Sequence, residues 1–414
     1  MSKIALLLSG GVDSSVALHM LCQTGEKPDC FYIHIGPDEK DSYNCTSEED
    51  IEMASTVAAK YGCKFEIIDL HREYWDNVVK YTMDKVSRGY TPNPDVMCNT
   101  IIKFGAFYDK VGYKYDYIAT GHYATRVGYY YENIDPVVSL KKVAVDIPIE
   151  TNYWNPNAVK WWICPAKDPV KDQVDFIANI DTKKVPISKI IFPIGNLMKD
   201  EVRKIAEENH LINAKRKDSQ GICFLGKINY NDYIEKYLGK NCGNIIDIDT
   251  KDIIGMHYGH WFHTIGQRKG LGLSGGPWYV VAKDANKNIV YVSKNYDKSK
   301  VTEFGVMDVN WLTENMIDTW YHRTYDGTGD QYFICNVTFK VRHSPETYTG
   351  KMYFYGSDHN VKIISDKPVT TAPGQFCILY DEDYYHCYGC GEILNTYFNR
   401  RSEERFSRNA ETDI

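Results

Sequence analysis

A loop rich in glycine and serine near the amino terminus constrains the fold of this chain more than any other feature. Residues 9–15 read SGGVDSS; the apolar run 4–8 before them predicts a buried strand, and residues 16–21 after them predict a helix. A strand, a glycine loop and a helix N-terminus together form an anion site, because the loop amides and the helix dipole both favour negative charge. The glycines let the backbone approach a ligand closely, and the serines add hydroxyl groups. The sequence therefore predicts a phosphate-binding loop in an α/β domain.

The loop differs from a Walker A motif, because it lacks the lysine that reaches the outer phosphates. Asp13 is a candidate ligand for Mg²⁺ on a pyrophosphate group. An ordinary strand-to-helix turn is the alternative interpretation of a Ser-Gly-Gly sequence. The strand and helix context favours the site, and the loop resembles that of the ATP pyrophosphatase (PP-loop) enzymes. The resemblance implies adenylation of a carbonyl or carboxylate group with release of pyrophosphate.

The first part of the chain alternates strand and helix signals. Strands are predicted at residues 30–35, 64–70 and 115–120, with helices at 47–61 and from 71 to 80. This alternation predicts a doubly wound parallel sheet, in which ligands bind at the carboxyl ends of the strands. Three residues fall at those ends, namely Ser9, Gly36 and Gly121.

Beyond this region the pattern changes twice. Residues 127–165 are rich in aromatic side chains and predict a hairpin excursion, and helices are predicted at 171–179 and 199–209. After about residue 243 the chain becomes rich in strands and glycines, and short strands at 332–340, 361–364 and 376–380 suit a small β-barrel. We therefore expect four regions. They are a PP-loop ATP-binding catalytic domain at 1–205 with an insertion at 127–165, a central domain at 206–300, a C-terminal β-barrel domain at 301–396 and a polar tail at 397–414.

Composition excludes several classes of protein. The 414 residues carry a formal net charge of −7, which argues against a basic, nonspecific binder of nucleic acid. No apolar run reaches the length of a membrane span or of a signal-peptide core. The 12 cysteines lack regular spacing, which in a chain without a secretory signal indicates reduced thiols. We expect a cytoplasmic protein with no membrane partner.

Two cysteines lie in unusual surroundings. Cys98 ends the loop TPNPDVMC, whose two prolines disfavour helix, so we expect a rigid loop and a helix starting near Asn99. A helix N-terminus lowers a thiol pKa, and Asp95 is a candidate general acid or base nearby. Cys223 lies in the small apolar segment DSQGICFLG. Most free cysteines are small buried hydrophobic residues, so the residues alone leave both roles open.

Seven segments together resemble one family. In chain order they are SGGVDSS, TPNPDVMCNTIIKFG, ATGHYA, KDQ, DSQGICFLG, HTIGQRKGLG and APGQF. From Ser9 to about Ile393 the chain resembles the tRNA-specific 2-thiouridylase family. That family adenylates the 2-carbonyl oxygen of the wobble uridine in tRNA and then replaces this oxygen with sulfur.

The resemblance implies a role for each reactive residue. Cys223 matches the cysteine that carries a persulfide, Cys98 matches its nucleophilic partner, and Asp95 matches the acid/base. Either the persulfide attacks the activated carbon and Cys98 then attacks the inner sulfur, or Cys98 releases free sulfide first. Both routes leave a Cys98–Cys223 disulfide, which a reductant must reopen.

The resemblance also implies binding residues and partners, and it assigns tRNA binding to the central domain at 206–300. The ATP-binding set is Leu7, Leu8, Ser9, Gly10, Gly11, Val12, Asp13, Ser14, Ile33 and Gly121. The tRNA-binding set is Asn93, Pro94, Asp95, His122, Lys171, Asp172, Gln173, Arg342, His343 and Gln375. A local positive surface is expected from Lys103, Arg268, Lys269, Lys340 and Arg342. The expected cofactor is ATP with Mg²⁺ and no prosthetic group, and the expected partners are tRNA and a persulfide donor such as a cysteine desulfurase or a relay protein.

The chain departs from the family pattern at a few positions. The insertion at 127–165 is long, Val174-Asp175 replaces an expected Ser-Tyr pair, and His343 replaces an expected tyrosine. Residues 34–36 match the pattern weakly.

Several alternatives remain open at this stage. They are an iron–sulfur thiolase of the same superfamily, another PP-loop ligase, and an idle tRNA-binding paralogue. Cys387 and Cys390 form a CxxC pair with Cys377 and His386 nearby, which is only part of a zinc ligand set, and we expect no metal there. His257, His260 and His263 are interpreted as loop or strand positions, because Gly255 and Gly259 interrupt a continuous helix.

Overall fold

The computed structural model describes residues 2–36, 47–134, 137–143, 160–218, 230–313, 323–325, 331–355 and 360–394. Cys223 and the predicted polar tail lie outside these residues. The strands are β1 (Ile4–Leu7), β2 (Asp29–His34), β3 (Phe65–Asp69), β4 (Tyr117–Thr120), β5 (Thr125–Ile134), β6 (Val137–Val143), β7 (Lys160–Cys164), β8 (Ile190–Ile191), β9 (Gly243–Asp247), β10 (Ile253–His257), β11 (Tyr279–Asp284), β12 (Ile289–Ser293), β13 (Lys300–Trp311), β14 (Arg323–Tyr325), β15 (Gln331–Lys340), β16 (Tyr348–Tyr355), β17 (Val361–Thr370), β18 (Phe376–Tyr380) and β19 (Cys387–Ile393).

Helices connect these strands mainly in the first half of the chain. They are α1 (Val12–Gln23), α2 (Ser47–Lys60), the consecutive segments His71–Tyr74, Trp75–Val79 and Lys80–Ser87, the consecutive segments Pro94–Met97, Cys98–Ala106 and Phe107–Lys110, and Val174–Ile177, Lys199–Glu208 and Tyr230–Leu238. Short 3₁₀ turns lie at Gly112–Lys114, Ile187–Lys189, His260–Phe262 and Tyr296–Ser299. Within the described ranges, none of the helices is both long enough and apolar enough to cross a membrane.

A parallel sheet organises the amino-terminal domain. Its strand order is β3-β2-β1-β4-β8, and every pairing in it is parallel. The strand order reverses between β1 and β4, so the crevice at their carboxyl ends is the expected ligand site. All four residues of β1 are buried, and α1 packs its apolar side chains against the sheet. The predicted doubly wound parallel sheet is confirmed.

Antiparallel strands build the carboxyl-terminal domain as a closed barrel. Its order is β13-β17-β16-β15-β18-β19, and β13 closes the barrel by pairing with β19. Buried aromatic and aliphatic side chains such as Phe304, Phe339 and Met352 fill its interior. The predicted barrel is confirmed.

The excursion at 127–165 forms a hairpin, as expected, and it joins the barrel sheet. β5 pairs with β6 and with β7, and Ile163 of β7 pairs with Cys387 of β19. Val127 and Trp162 are buried in the same apolar cluster as Leu379. The excursion therefore ties the amino-terminal half of the chain to the barrel.

A small sheet forms the central domain, with strand order β10-β9-β12-β11. Its core is small and consists of Ile245, Leu271, Val280, Val290 and Val292. The three histidines lie here as expected, without a continuous helix: His257 ends β10, His260 opens a 3₁₀ turn, and His263 follows that turn. The His257 and His263 rings lie 5.4 Å apart, and both side chains are buried.

The predicted helix at 171–179 is wrong in its length, because only Val174–Ile177 is helical. The carboxylate of Asp168 accepts hydrogen bonds from the backbone amides of Val170 and Lys171, at 3.0 and 3.1 Å. These bonds fold the preceding residues into a turn. Acidic side chains commonly stabilise such turns in competition with helix.

The burial of His263 predicts that the protein loses stability in mild acid. Burial, reinforced by His257 and Lys283, lowers the His263 pKa to about 4. Below pH 6.5 His263 binds a proton in the unfolded chain but stays neutral in the folded chain. The free energy of unfolding therefore falls as the pH drops from 6.5 towards 4. We expect urea unfolding to show that, between about pH 7.5 and 5.5, His263→Gln loses about 1 kcal/mol less stability than the unsubstituted protein. Equal losses for both proteins would contradict this account.

Candidate active site

The predicted phosphate-binding loop folds tightly between β1 and α1. Ser14 Oγ accepts a hydrogen bond from the Ser9 amide (3.2 Å) and donates one to the Gly11 carbonyl (3.1 Å). Ser15 Oγ also donates to the Gly11 carbonyl, at 2.9 Å. Gly10 has φ of 77°, and a Cβ atom there would lie 2.4 Å from the Asp50 carbonyl oxygen. The loop is thus fixed by its own hydroxyl groups at the N-terminus of α1.

Two neighbouring segments support this loop. Gly121 follows β4, and a Cβ atom on it would lie 2.7 Å from the Ser14 amide nitrogen. Asn213 is buried and donates from Nδ2 to the Gly10 carbonyl at 2.7 Å and to Ser15 Oγ at 2.8 Å. The structure therefore brings Gly121 against the loop, at the crevice where the strand order reverses.

Asp13, in the first turn of α1, has two partners from distant parts of the chain. Tyr123 OH donates to Asp13 Oδ1 at 3.0 Å, and Lys199 Nζ does so at 2.7 Å. Oδ1 accepts both hydrogen bonds. Neither partner was predicted from the sequence.

The other residues of the predicted ATP-binding set lie close to this loop in the fold. Leu7 ends β1, Leu8 is buried directly after it, and Val12 starts α1. Ile33 lies in β2, beside β1 in the sheet. The set lies near the carboxyl ends of β1, β2 and β4 and at the start of α1, where sheets of this kind bind ligands.

The TPNPD segment starts a helix, so the expectation of a helix beginning near Asn99 is wrong. Asn93 caps the helix, because its side-chain oxygen accepts hydrogen bonds from the Asp95 and Val96 amides at 3.1 and 3.3 Å. Pro94 occupies the first helical position, where its fixed φ suits the helix and its missing N–H is not needed. Prolines that disfavour the interior of a helix are favoured at its first turn.

Cys98 is therefore one turn inside a helix, where the dipole effect of the first turn has faded. It is buried, and it lies three residues after Asp95 on neighbouring helical positions. Lys103 on the same helical stretch approaches His122 Nε2 at 3.4 Å. His122 directly follows Gly121, so this contact brings the Cys98 helix next to the nucleotide loop.

His122 is buried, and its Nδ1 atom lies 2.9 Å from Thr120 Oγ1. Burial lowers the His122 pKa well below its usual value, and the charge of Lys103 lowers it further. His122 is thus a neutral side chain that connects β4 to the Cys98 helix. Its predicted contact with tRNA would need access that the buried ring lacks.

The barrel holds the TPNPD segment from the other side. The Thr91 amide donates to the Pro373 carbonyl at 2.7 Å, and Gln375 Nε2 donates to the Thr91 carbonyl at 2.8 Å. A half-buried ion pair joins Lys85 to Glu392 at 2.6 Å. The APGQF segment thus fixes the loop before Asp95, and Gln375 is a positioning residue in this arrangement.

We expect Gln375→Ala to lower the free energy of unfolding by about 1 kcal/mol, since it leaves the Thr91 carbonyl without its donor. Gln375→Glu should lower it further, because a carboxylate would then face the carbonyls of Thr91 and Pro92. Urea unfolding measures both effects. Asn336→Ala removes an exposed amide contact on the same barrel and serves as the matched control. A Gln375→Glu variant as stable as the unsubstituted protein would contradict the positioning role.

The three residues of the KDQ segment point to three different partners. Lys171 Nζ contacts Asp218 at 2.8 Å, and Gln173 accepts a hydrogen bond from the Tyr123 amide at 3.0 Å. Asp172 is 1% exposed and contacts Lys340, also 1% exposed, at 3.3 Å. The prediction that Asp172 contacts tRNA and that Lys340 adds to a positive surface is therefore corrected. The pair is a buried connection between the amino-terminal domain and the barrel.

The departures from the family pattern lie beside that buried pair. His343 Nδ1 contacts Asp175 Oδ2 at 2.7 Å, and the His343 ring packs 4.6 Å from the ring of Phe176. Asp175 also lies 3.8 Å from Lys340. Arg342 is exposed, with its side chain near Glu346. Arg342 remains accessible for RNA, whereas Asp175 and His343 form a second polar contact between the two domains.

The remaining cysteine predictions divide into two groups. Cys377, Cys387 and Cys390 are buried in the barrel, and burial raises the pKa of each thiol. Within the residues that the structure describes, no group of three or more histidine, cysteine or acidic side chains is arranged to hold a metal ion. Cys223 lies outside the described residues, five positions after Asp218 in the sequence.

Comparison with known proteins covers nearly the whole chain. Residues 2–227 match the family model of the tRNA methyl transferase HUP domain, 231–294 match that of the tRNA methyl transferase PRC-barrel domain, and 301–393 match that of the aminomethyltransferase beta-barrel domain.

Curated relatives also match most of the chain. A tRNA-specific 2-thiouridylase MnmA of Porphyromonas gingivalis is 50% identical over 94% of this chain and 98% of its own length. Proteins of the same description from Parabacteroides distasonis and Bacteroides thetaiotaomicron are 49% and 48% identical, over 95% and 94% of this chain and 99% of their own lengths.

Proposed function

This chain belongs to the tRNA-specific 2-thiouridylase family, and we propose that it replaces the 2-oxygen of the wobble uridine in tRNA with sulfur at the expense of ATP. The observation that carries the proposal is the approach of the Cys98 helix to the nucleotide loop. Gly121 packs on Ser14 of the loop, and the next residue, His122, meets Lys103 on the Cys98 helix. A nucleotide on the loop and a base beside Asp95 would therefore be neighbours.

The first step is adenylation of the uridine. The 2-carbonyl oxygen attacks the α-phosphorus of ATP, pyrophosphate leaves, and the base becomes bonded to AMP through that oxygen. The α1 N-terminus and the loop amides stabilise negative charge on the phosphates. Mg²⁺ held by Asp13 would neutralise the pyrophosphate group. The target base must leave the anticodon stack to reach this site.

The second step transfers sulfur. The terminal sulfur of a Cys223 persulfide attacks the activated carbon, and AMP leaves with the former carbonyl oxygen. The Cys98 thiolate then attacks the inner sulfur, which forms a Cys98–Cys223 disulfide and leaves a thiocarbonyl on the base. In the alternative order, Cys98 attacks the persulfide first, and the released sulfide attacks the base. Asp95, next to Cys98 on the helix, would move protons as acid or base.

The proposed reaction needs three partners besides ATP. A persulfide donor, such as a cysteine desulfurase or a relay protein, must load Cys223 in each cycle. A cellular dithiol must then reduce the disulfide, which fits a reducing cytoplasm. The tRNA would meet the exposed Arg342 of the barrel and the rim near Lys171. Recognition would use the shape and the unstacked bases of the anticodon loop.

An isotope experiment tests the adenylation step directly. The tRNA is prepared with a heavy oxygen isotope at the 2-position of the wobble uridine and is incubated with ATP, Mg²⁺ and a persulfide donor. The proposal predicts that the heavy oxygen appears in AMP and that the base gains sulfur. AMP that carries oxygen only from water would indicate ATP hydrolysis and contradict the proposal. AMP formation without tRNA would favour another PP-loop ligase.

A further inference from the structure

Lys199 lies at the centre of a cluster of charges that joins the nucleotide loop to distant parts of the domain. Its Nζ atom contacts Asp13 Oδ1 at 2.7 Å and Asp218 Oδ1 at 2.8 Å. Lys171 contacts the other oxygen of Asp218 at 2.8 Å, and Arg203 also bonds to this carboxylate. Three cations thus contact two carboxylates beside the loop.

A backbone hydrogen bond and burial of the side chain both fix the position of Lys199. Its amide donates to Asp168 Oδ2 at 2.9 Å, and Asp168 Oδ1 accepts from the Lys171 amide at 3.1 Å. One carboxylate therefore fixes the two segments that carry the lysines. The Lys199 side chain is only 13% exposed, and its ammonium group lies 5.8 Å from the centre of the Tyr123 ring.

The carboxylate of Asp218 stays ionised to very low pH. Burial alone would raise its pKa, but hydrogen bonds from Lys171 and Lys199 outweigh this effect and lower the pKa to about 2. At neutral pH Asp218 is therefore a carboxylate that contacts both lysines. An anion that enters the loop would compete with Asp13 and Asp218 for the ammonium group of Lys199.

The loop itself contains no lysine, although three phosphate groups must be held beside it. Lys199 contacts Asp13 in the first turn of α1, although it lies 186 residues further along the chain, at the start of another helix. Its four-carbon side chain can exchange a carboxylate partner for a phosphate oxygen by small rotations. We propose that Lys199 is the phosphate-binding lysine of this nucleotide site. Asp13 and Asp218 would hold its ammonium group beside the loop until a nucleotide binds. The proposal rests on the proposed use of ATP and names the residue that binds its outer phosphates.

Equilibrium binding of nucleotides in the absence of tRNA tests this role separately from thiolation. We expect Lys199→Met to weaken the binding of Mg²⁺·ATP by about 10- to 100-fold, since it removes a charged hydrogen-bond donor. Inorganic pyrophosphate should weaken similarly, whereas AMP, which lacks the outer phosphates, should keep its affinity within about twofold. Lys199→Arg keeps the charge and should restore most of the ATP affinity.

Controls separate this effect from a general loss of structure. Lys204→Met removes an exposed lysine of the same helix, which contacts Glu208 at 3.8 Å, and should leave ATP affinity unchanged. Lys199→Gln repeats the test if the methionine variant does not fold, because its amide can still bond to a carboxylate. Unchanged ATP affinity in the Lys199 variants would overturn the inference, as would an equal loss of ATP and AMP affinity. Failure of ATP binding in the unsubstituted protein would overturn the proposed function as well.

Discussion

Replacement of Cys98 by alanine is expected to abolish sulfur transfer while tRNA-dependent formation of AMP continues. Removal of a nucleophile that acts in a concerted set commonly costs a factor of a thousand or more, so we expect thiolation to fall by at least about a thousandfold. Adenylation should continue, because the contact between the Cys98 helix and His122 beside the nucleotide loop is made by Lys103, which the substitution leaves in place. The readouts are the 2-thio nucleoside in digested tRNA and AMP in the same reaction.

Alanine is the better substitution at this position, because Cys98 is packed among apolar residues such as Val96 and Ile102. Serine would bury a hydroxyl group and could lower stability for an unrelated reason. Cys242→Ser, at an exposed cysteine of the central domain, is the control and should keep full activity. Cys223→Ser is expected to have the same phenotype as Cys98→Ala under a persulfide supply. Thiolation by Cys98→Ala at more than a tenth of the normal rate would contradict the role assigned to this thiol.

Gly121→Ala is expected to abolish ATP binding and, with it, every later step. The added methyl group would lie 2.7 Å from the Ser14 amide nitrogen and 2.8 Å from its Cα atom, closer than such atoms can approach. The neighbouring segment is the first turn of α1, so relief of the clash must move the loop that holds the phosphates. We expect a loss of at least about 100-fold in ATP affinity, since several hydrogen bonds to charged oxygens would be misaligned together. Titration with Mg²⁺·ATP measures this effect.

The matched control is Gly25→Ala, just beyond the opposite end of α1, where no atom lies within 4 Å of an added methyl group. That glycine has φ of 83°, so alanine there should lower stability by about 1 kcal/mol and leave ATP affinity unchanged. Unaltered ATP affinity in Gly121→Ala would show that phosphates do not bind at this loop.

Patterns over a few neighbouring residues predicted the helices, strands and turns that depend on those residues alone. The SGGVDSS loop, the strands around it and the Lys199–Glu208 helix form where their patterns placed them, because strand periodicity and glycine freedom act over a few residues. The error at Pro94 was also local. The same proline disfavours a helix interior and favours a helix start, and the capping side chain of Asn93 decides between the two.

Contacts between distant segments could not be predicted in this way. Nothing near Asp172 in the sequence indicates that its partner is Lys340, and nothing near Gln375 indicates that it holds the Thr91 carbonyl. The sequence around β7 likewise does not indicate that this strand pairs with β19. Lys199 was missed as a site residue for the same reason, although its place in the first turn of a helix beside two acidic residues, Asp200 and Glu201, is visible in the sequence. Long-range packing, rather than local propensity, decides which polar residues are exposed for tRNA.

The most direct test of the central claim is the nucleoside composition of a wobble-uridine tRNA after incubation with this protein, ATP, Mg²⁺ and a persulfide donor. We predict that 2-thiouridine appears at the wobble position and that AMP forms in equal amount, in both cases only when ATP is present. AMP that accumulates without 2-thiouridine would retain an adenylating enzyme and contradict the sulfur chemistry. The absence of any tRNA-dependent AMP would contradict the account as a whole.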